Sequence, residues 1–124
     1  MRLLIDSHVL LWWNTGSLQL SVAARTAVAD PASEVLISIA GLWELTLKQA
    51  AGKLSFAPDL ETMLADEDFS VLSISFAHLR ELASLPRLHR DPFDRMMIAQ
   101  ARSEGIPIAT KDRHFAAYGV QIVW

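Results

Sequence analysis

The chain contains no cysteine, so an oxidising compartment would find nothing to act on. It has no Gly-rich turn ahead of a Lys-Ser/Thr pair, because Gly52-Lys53 is followed by Leu54, and this excludes a P-loop nucleotide enzyme. No apolar run approaches the ~18 residues of a membrane span. The charge-free stretch between Asp6 and Arg25 is broken by Asn14, Thr15, Gly16, Ser17 and Gln19. Basic residues are scarce through most of the chain. Residues 1–86 carry five Lys/Arg against ten Asp/Glu, and residues 87–124 carry six against four. A uniformly basic nucleic-acid binder is therefore excluded, whereas a local strip of Arg87, Arg90, Arg95, Arg102, Lys111 and Arg113 remains open. Taken singly, each of these is equally well read as a solvated surface charge. Repeats, low-complexity segments and linkers are also missing. The opening meets an acid at Asp6, too early for a signal peptide, and the cytoplasm is the expected compartment.

What is present is apolar material: 52% of the 124 residues are hydrophobic, with a mean hydropathy of +0.26. That length predicts a single domain over residues 1–124, burying roughly two-thirds of its unfolded surface. The excess apolarity is read as a core plus a patch covered by a partner.

One stretch organises the rest: His89-Arg90-Asp91-Pro92-Phe93-Asp94-Arg95, followed by Met96 through Ala101. Pro92 lacks an amide donor and suits a first helical position, and Asp91 before it is a natural N-cap. Asp94 then falls in the first turn, on the same face as Ile98 and Ala101. A carboxylate continuing an apolar stripe is costly unless it is capped, paired or bound to a metal.

Elsewhere, Leu3-Leu4-Ile5 reads as a buried strand ending in Asp6-Ser7, followed by a helix that Asn14-Thr15-Gly16 stops. Ser21 caps a helix over Val22–Ala29, and Asp30-Pro31 closes it. Val35–Ser38 is a second strand and Ile39–Lys48 a helix reaching Gly52, with Glu44 as its one acid. Pro58-Asp59-Leu60 starts a helix to about Ala65, and Asp66-Glu67-Asp68 is assigned to a solvated loop. Val71–Ile74 is a third strand, and a helix from Phe76 to Ala83 ends before Pro86. Pro107–Thr110 and Val120–Val123 supply a fourth and a fifth strand. Short apolar strands alternating with helices predict an α/β domain with a mostly parallel sheet. Ligands bind such sheets beyond the carboxyl ends of the strands, where Asp6 and Asp112 fall.

Four acids thus stand out by position: Asp6, Glu44, Asp94 and Asp112. Each has an ordinary explanation. Asp6 and Asp112 could cap following helices, Asp94 could offset the positive end of its own helix, and Glu44 could pair with Lys48. If the four converge, mutual repulsion protonates some of them unless cations intervene. Mg²⁺ or Mn²⁺, hard ions that prefer oxygen ligands, match such a cup. An ion there would activate water against a phosphodiester, leaving a 5′-phosphate and a 3′-hydroxyl.

Leu4-Ile5-Asp6-Ser7, Ser38 with Trp43-Glu44, the block from His89 to Arg95 with Ile98-Ala99-Gln100-Ala101, and Thr110-Lys111-Asp112 with Phe115 together resemble PIN-domain ribonucleases. More narrowly, they are similar to VapC-type toxins of toxin–antitoxin pairs. The likeness covers almost the whole chain in the right order, and its central block is the specific part. It implies a PIN-like three-layer sandwich, with a central, mostly parallel sheet of about four to five short strands between helices. It also implies an Mg²⁺- or Mn²⁺-dependent endoribonuclease whose catalytic, metal-binding acids are Asp6, Glu44, Asp94 and Asp112. Ser7 and Thr110 would orient them through hydroxyl hydrogen bonds, and Arg90, Arg95, Lys111 and Arg113 are candidate RNA contacts. Asp91 is assigned to helix capping. The implied partners are an RNA substrate, a cognate VapB-type antitoxin over an apolar groove near the first helices, and a second copy of the chain. No membrane is implied.

His89 and His114 are read as structural or surface histidines, and His8 and His78 carry no signal. Trp12, Trp13, Trp43 and Trp124 are read as core or interface residues. A haloacid-dehalogenase-like phosphatase would need a second acid at position 8, which is His. A response-regulator receiver would need an acidic pair where Asp6 stands alone. The remaining alternative is a PIN-like module that binds RNA or protein without cutting.

Overall fold

A computed structural model describes residues 1–124. Its sheet is built around β1 (Arg2–Ile5), whose last three side chains are fully buried. The other strands are β2 (Glu34–Ser38), β3 (Ser70–Leu72), β4 (Ile108–Ala109) and β5 (Ile122–Val123). They lie in the order β3-β2-β1-β4-β5 and every pairing is parallel. β1 is thus central, covered on both faces and bonded on both edges, and this is why Leu3-Leu4-Ile5 reads as a continuous apolar run rather than an alternating one.

Successive side chains of β1 feed two separate cores, as the period-2 geometry of a strand requires. Leu3 and Ile5 join Val9 and Leu10 of α1 (Ser7–Thr15), Ala24 and Val28 of α2 (Val22–Ala29), Leu42 and Leu45 of α3 (Ile39–Ala50), and Met63 and Leu64 of α4 (Leu60–Glu67). Leu4 faces the other way with Leu36 and Ile108, against Met97, Ile98 and Ala101 of α6 (Pro92–Glu104) and Phe115 and Tyr118 of a 3-10 helix over Arg113–Tyr118. α5 (Phe76–Ser84) packs on α6. Helices on both sides of one parallel sheet make the three layers predicted above.

Several boundaries depart from the sequence reading, among them that of β4, which is Ile108–Ala109 rather than Pro107–Thr110. The acids Asp66 and Glu67 sit in the last turn of α4, and Asp68 caps it in the left-handed region at φ 56°. Met63 and Leu64 anchor the helix inward, and the acids continue on its exposed side. β3 begins one residue earlier and stops at Leu72 because its partner β2 ends at Ser38, which pairs with Leu72. The last strand is only Ile122–Val123. No helix is long and apolar enough to cross a membrane.

Candidate active site

The carboxyl end of β1 delivers Asp6 to the sheet edge, where extended backbone (φ −62°, ψ 149°) makes it the N-cap of α1. Its Oδ1 accepts the His8 amide at 3.1 Å. Its Oδ2 accepts the Thr110 hydroxyl at 2.8 Å, across 104 residues of sequence. Ser7 Oγ lies 3.0 Å from Glu44 Oε1 and 3.3 Å from Asp6 Oδ1, so its single proton bridges two carboxylates on different elements. Thr110, beyond β4, also accepts the Asp112 amide through Oγ1 at 3.0 Å. Two fully buried hydroxyls therefore fix three acids relative to one another, a device that leaves carboxylate lone pairs free for a ligand.

The remaining acid comes from the start of α6. Asp91 caps this helix, its Oδ1 accepting the amides of Phe93 at 2.8 Å and Asp94 at 3.2 Å, and Pro92 follows at the first helical position. Asp94 projects from the first turn into a cleft of about 340 Å³ lined by Asp6, His8, Trp12, Glu44, Lys48, Asp91, Asp94, Lys111 and Asp112. Five acids share this space with two lysines and a histidine.

Electrostatics separates the acids. Burial pushes the Asp6 carboxyl up, but the hydrogen bonds from His8 and Thr110 outweigh it and hold the group below the ordinary carboxylate value. The paired carboxylate in turn raises the His8 imidazole above its usual range. Asp94 accepts no amide or hydroxyl bond, and only the His89 ring approaches its carboxylate, at 3.4 Å. Burial first, and then the charges of Asp91, Asp6, Glu44 and Asp112, push it from 3.8 to about 7. Carboxylates that raise one of their own number in this way suit a cation whose charge would offset theirs. The donors are carboxylate oxygens, the set hard divalent ions prefer, so the residues present fit such an ion.

His89 approaches the same place. Its Nε2, Asp94 and Asp112 offer atoms within 4.8 Å of one another, with Nε2 at 3.4 Å from Asp94 Oδ2 and 3.8 Å from Asp112 Oδ2. However, its Nδ1 accepts the Asp91 amide at 3.0 Å. That bond leaves the proton of the neutral ring on Nε2, so His89 meets the carboxylates as a donor and offers them no bare nitrogen for coordination.

Asp6, Glu44, Asp94 and Asp112 all line the cleft, and Ser7 and Thr110 tie the first, second and fourth of them together. Of the four candidate RNA contacts, only Lys111 lines it. Arg90 and Arg95 border a separate hollow beside His89 and Arg87. The Arg95 guanidinium there donates to the Pro86 carbonyl at 2.9 Å, and Arg113 is exposed on the 3-10 helix. Sequence reasoning passed over His8, whose ring stands 3.5 Å from Asp6, and Trp12. The available signal was their spacing: two and six residues after a strand-end acid, on the first turns of the helix it caps. Lys48 lies 3.3 Å from Glu44, as their i, i+4 spacing predicts. His78, without signal in the sequence, is buried and accepts the Ser75 amide in a capping box.

A parallel sheet with an acid-lined cleft at its carboxyl edge, tied by buried hydroxyls, defines an α/β protein with a site suited to a hard cation. The PIN-domain family profile matches residues 3–121, and this chain belongs to that family. Ribonuclease VapC22 of Mycobacterium tuberculosis is 28% identical over 118 residues, 93% of this chain and 90% of the relative. The fold also resembles that of VapBC2 from Rickettsia felis, solved bound to a DNA fragment from their promoter, with a TM-score of 0.69 at 12% identity over 98% of this chain and 97% of that one. VapC20 of Mycobacterium tuberculosis, a sarcin–ricin-loop-cleaving toxin, has a TM-score of 0.61 at 17% identity, over 95% of each chain.

Proposed function

We propose that this chain is an Mg²⁺- or Mn²⁺-dependent endoribonuclease, the toxin of a VapBC-type pair, with Asp6, Glu44, Asp94 and Asp112 as its catalytic and cation-binding acids. The observation that carries the reading is that these four acids, from distant parts of the sequence, line one cleft. The working unit is the single domain 1–124, since one sheet takes strands from Arg2 to Val123.

A bound divalent ion would supply charge neutralisation at the phosphodiester and a water acidified for attack. Asp6 and Glu44, kept in place by Ser7 and Thr110, hold their side of that charge without rearranging. Cation charge there would offset the surrounding carboxylates and favour the ionised form of Asp94. Lys111 contributes attraction for the RNA backbone at the rim. In the hydrolysis, water oxygen bonds to phosphorus, the bond from phosphorus to the 3′-oxygen breaks, and the proton goes to that oxygen.

The test is cleavage of total RNA by the purified chain, with Mg²⁺, with Mn²⁺ and with chelator, against Asp94→Asn. Ion-dependent cutting abolished by the substitution is the expected result. Equal behaviour of the two proteins would sink the reading in favour of a non-catalytic PIN-like module. Exposed Leu18 and Val22 at the turn between α1 and α2, and Trp43 and Phe76 elsewhere, support coverage by an antitoxin and by a second copy. Light scattering of the chain alone should give a dimer, and a clean monomer would remove that part.

A further inference from the structure

The cleft has a second wall that hydrolysis by the acid cup does not use. Trp12, Lys48 and Lys111 line it opposite in character to the carboxylates. Lys111 Nζ sits over the Trp12 ring, 5.9 Å from its centroid. Two further rings flank the indole without lying parallel to it. Trp124 is 6.0 Å away at 54° and His8 is 5.9 Å away at 38°. Trp12 is thereby held by its neighbours, only partly buried, and not yet stacked on any planar partner.

The geometry points to a nucleotide subsite: Trp12 takes the base next to the scissile linkage by stacking, and Lys48 and Lys111 take its flanking phosphate. An RNA base on an indole is a stronger partner than an exposed ammonium, so arrival of the base displaces Lys111 from the ring toward the phosphate. Lys48 makes a parallel exchange. Its ammonium lies 3.3 Å from Glu44 Oε2, an acid the cup needs for its cation, and cation charge at Glu44 would drive Lys48 toward the incoming phosphate. A single-stranded substrate is required, because a base stacked in a duplex cannot present its face to a side chain. This inference rests on the ribonuclease reading for the identity of its ligand, but its test does not depend on cutting.

Binding of a short, dye-labelled single-stranded RNA is measured by anisotropy in the Asp94→Asn background, alone and combined with Trp12→Leu, Trp12→Phe or Trp13→Phe. Leu keeps an apolar contact for Trp124 and removes the stacking surface, whereas Phe keeps a ring. Expected are a roughly tenfold weaker Kd for Trp12→Leu, recovery to within about twofold for Trp12→Phe, and no change for Trp13→Phe. Lys48→Gln should lower the slope of log Kd against log salt by about 0.7, the share of one phosphate on a single strand. Equal affinity of Trp12→Leu and its parent, or an unchanged slope for Lys48→Gln, overturns the subsite. If Trp12→Leu fails to fold by circular dichroism, Lys111→Gln, a change at an exposed position over the ring, decides in the same binding assay: the slope of log Kd against log salt should fall by about 0.7, and an unchanged slope overturns the proposal. RNA bound through Trp12 but never cut would sink the ribonuclease reading and leave the subsite standing, and cutting with Trp12-independent binding would do the reverse.

Discussion

Asp6 and Asp94 face the same cleft from opposite constructions. At the β1–α1 junction the carboxylate is nearly enclosed but receives the His8 amide and the Thr110 hydroxyl, and its pKa falls. At the start of α6 the carboxylate is less enclosed, receives no such bonds, and rises to about 7. Burial alone does not decide the charge of an acid; the donors aimed at it and the charges around it do as well. The first region holds its charge with its own donors, and in the second, carboxylate charge accumulates around a half-buried acid.

The comparison breaks most sharply with Asp6→Ala or Asp94→Ala. Either should lower cleavage about a thousandfold, equivalent to about 4 kcal/mol of transition-state stabilisation, in an RNA assay with folding checked by circular dichroism. Asp6→Ala should in addition cost about 1 kcal/mol of stability in a urea titration, because it removes the α1 cap.

Thr110→Val tests the donors directly. The substitution keeps the shape at a fully buried position and deletes the bond to Asp6 Oδ2. Ion affinity by calorimetry should weaken about 10- to 100-fold, and Asp6 should move up toward the behaviour of Asp94. An unchanged affinity would mean that the hydroxyl does not set the site.

What the sequence made legible here is local. Leu3-Leu4-Ile5 ending in an acid, and Asp91-Pro92 opening a helix, each signal an element and its boundary within a few residues, because a buried strand and a capped helix are short-range patterns. The supports are not local. Ser7 and Glu44 meet across 37 residues and Thr110 and Asp6 across 104, and only the sheet order brings them together. His8 and Trp12 lay hidden because one helix turn carries both core and cleft residues, and spacing cannot say which neighbour each faces. The end of α4 was misread for a related reason: an acidic run looks like solvent, yet an exposed helical turn is solvent-facing too.

Asp94 should also leave a mark on the ion-free protein. Its carboxyl is raised from 3.8 to about 7 in the native state, so between those values the folded chain binds the extra proton. Stability must then fall as pH climbs through that window and level off above it. Asp6, whose value is lowered, has the opposite sign: its contribution is present above the ordinary carboxylate range and is lost as pH drops. In chelator, Asp94→Asn should therefore flatten the decline between about pH 4 and 7 and stabilise the chain at pH 8 by about 1–2 kcal/mol, discounted because water reaches the half-buried group. Mg²⁺ should raise Tm more at pH 8 than at pH 5. A wild-type and Asp94→Asn pair with parallel pH profiles would remove the distinction between the two acids.

The smallest expected effect separates the two roles that Asp91 combines, since it caps α6 and also stands second only to burial among the influences raising Asp94. Asn caps a helix about as well as Asp but carries no charge. Asp91→Asn should therefore leave stability at pH 5 within about 0.5 kcal/mol while shifting the midpoint of the Asp94-dependent decline to lower pH. Asp91→Ala should give the same shift and also lose about 1 kcal/mol through the missing cap. The measurement is Tm against pH in chelator for the three proteins. A midpoint that does not move in either variant would mean that Asp94 is raised by burial and by the acids across the cleft, with no contribution from its own helix start.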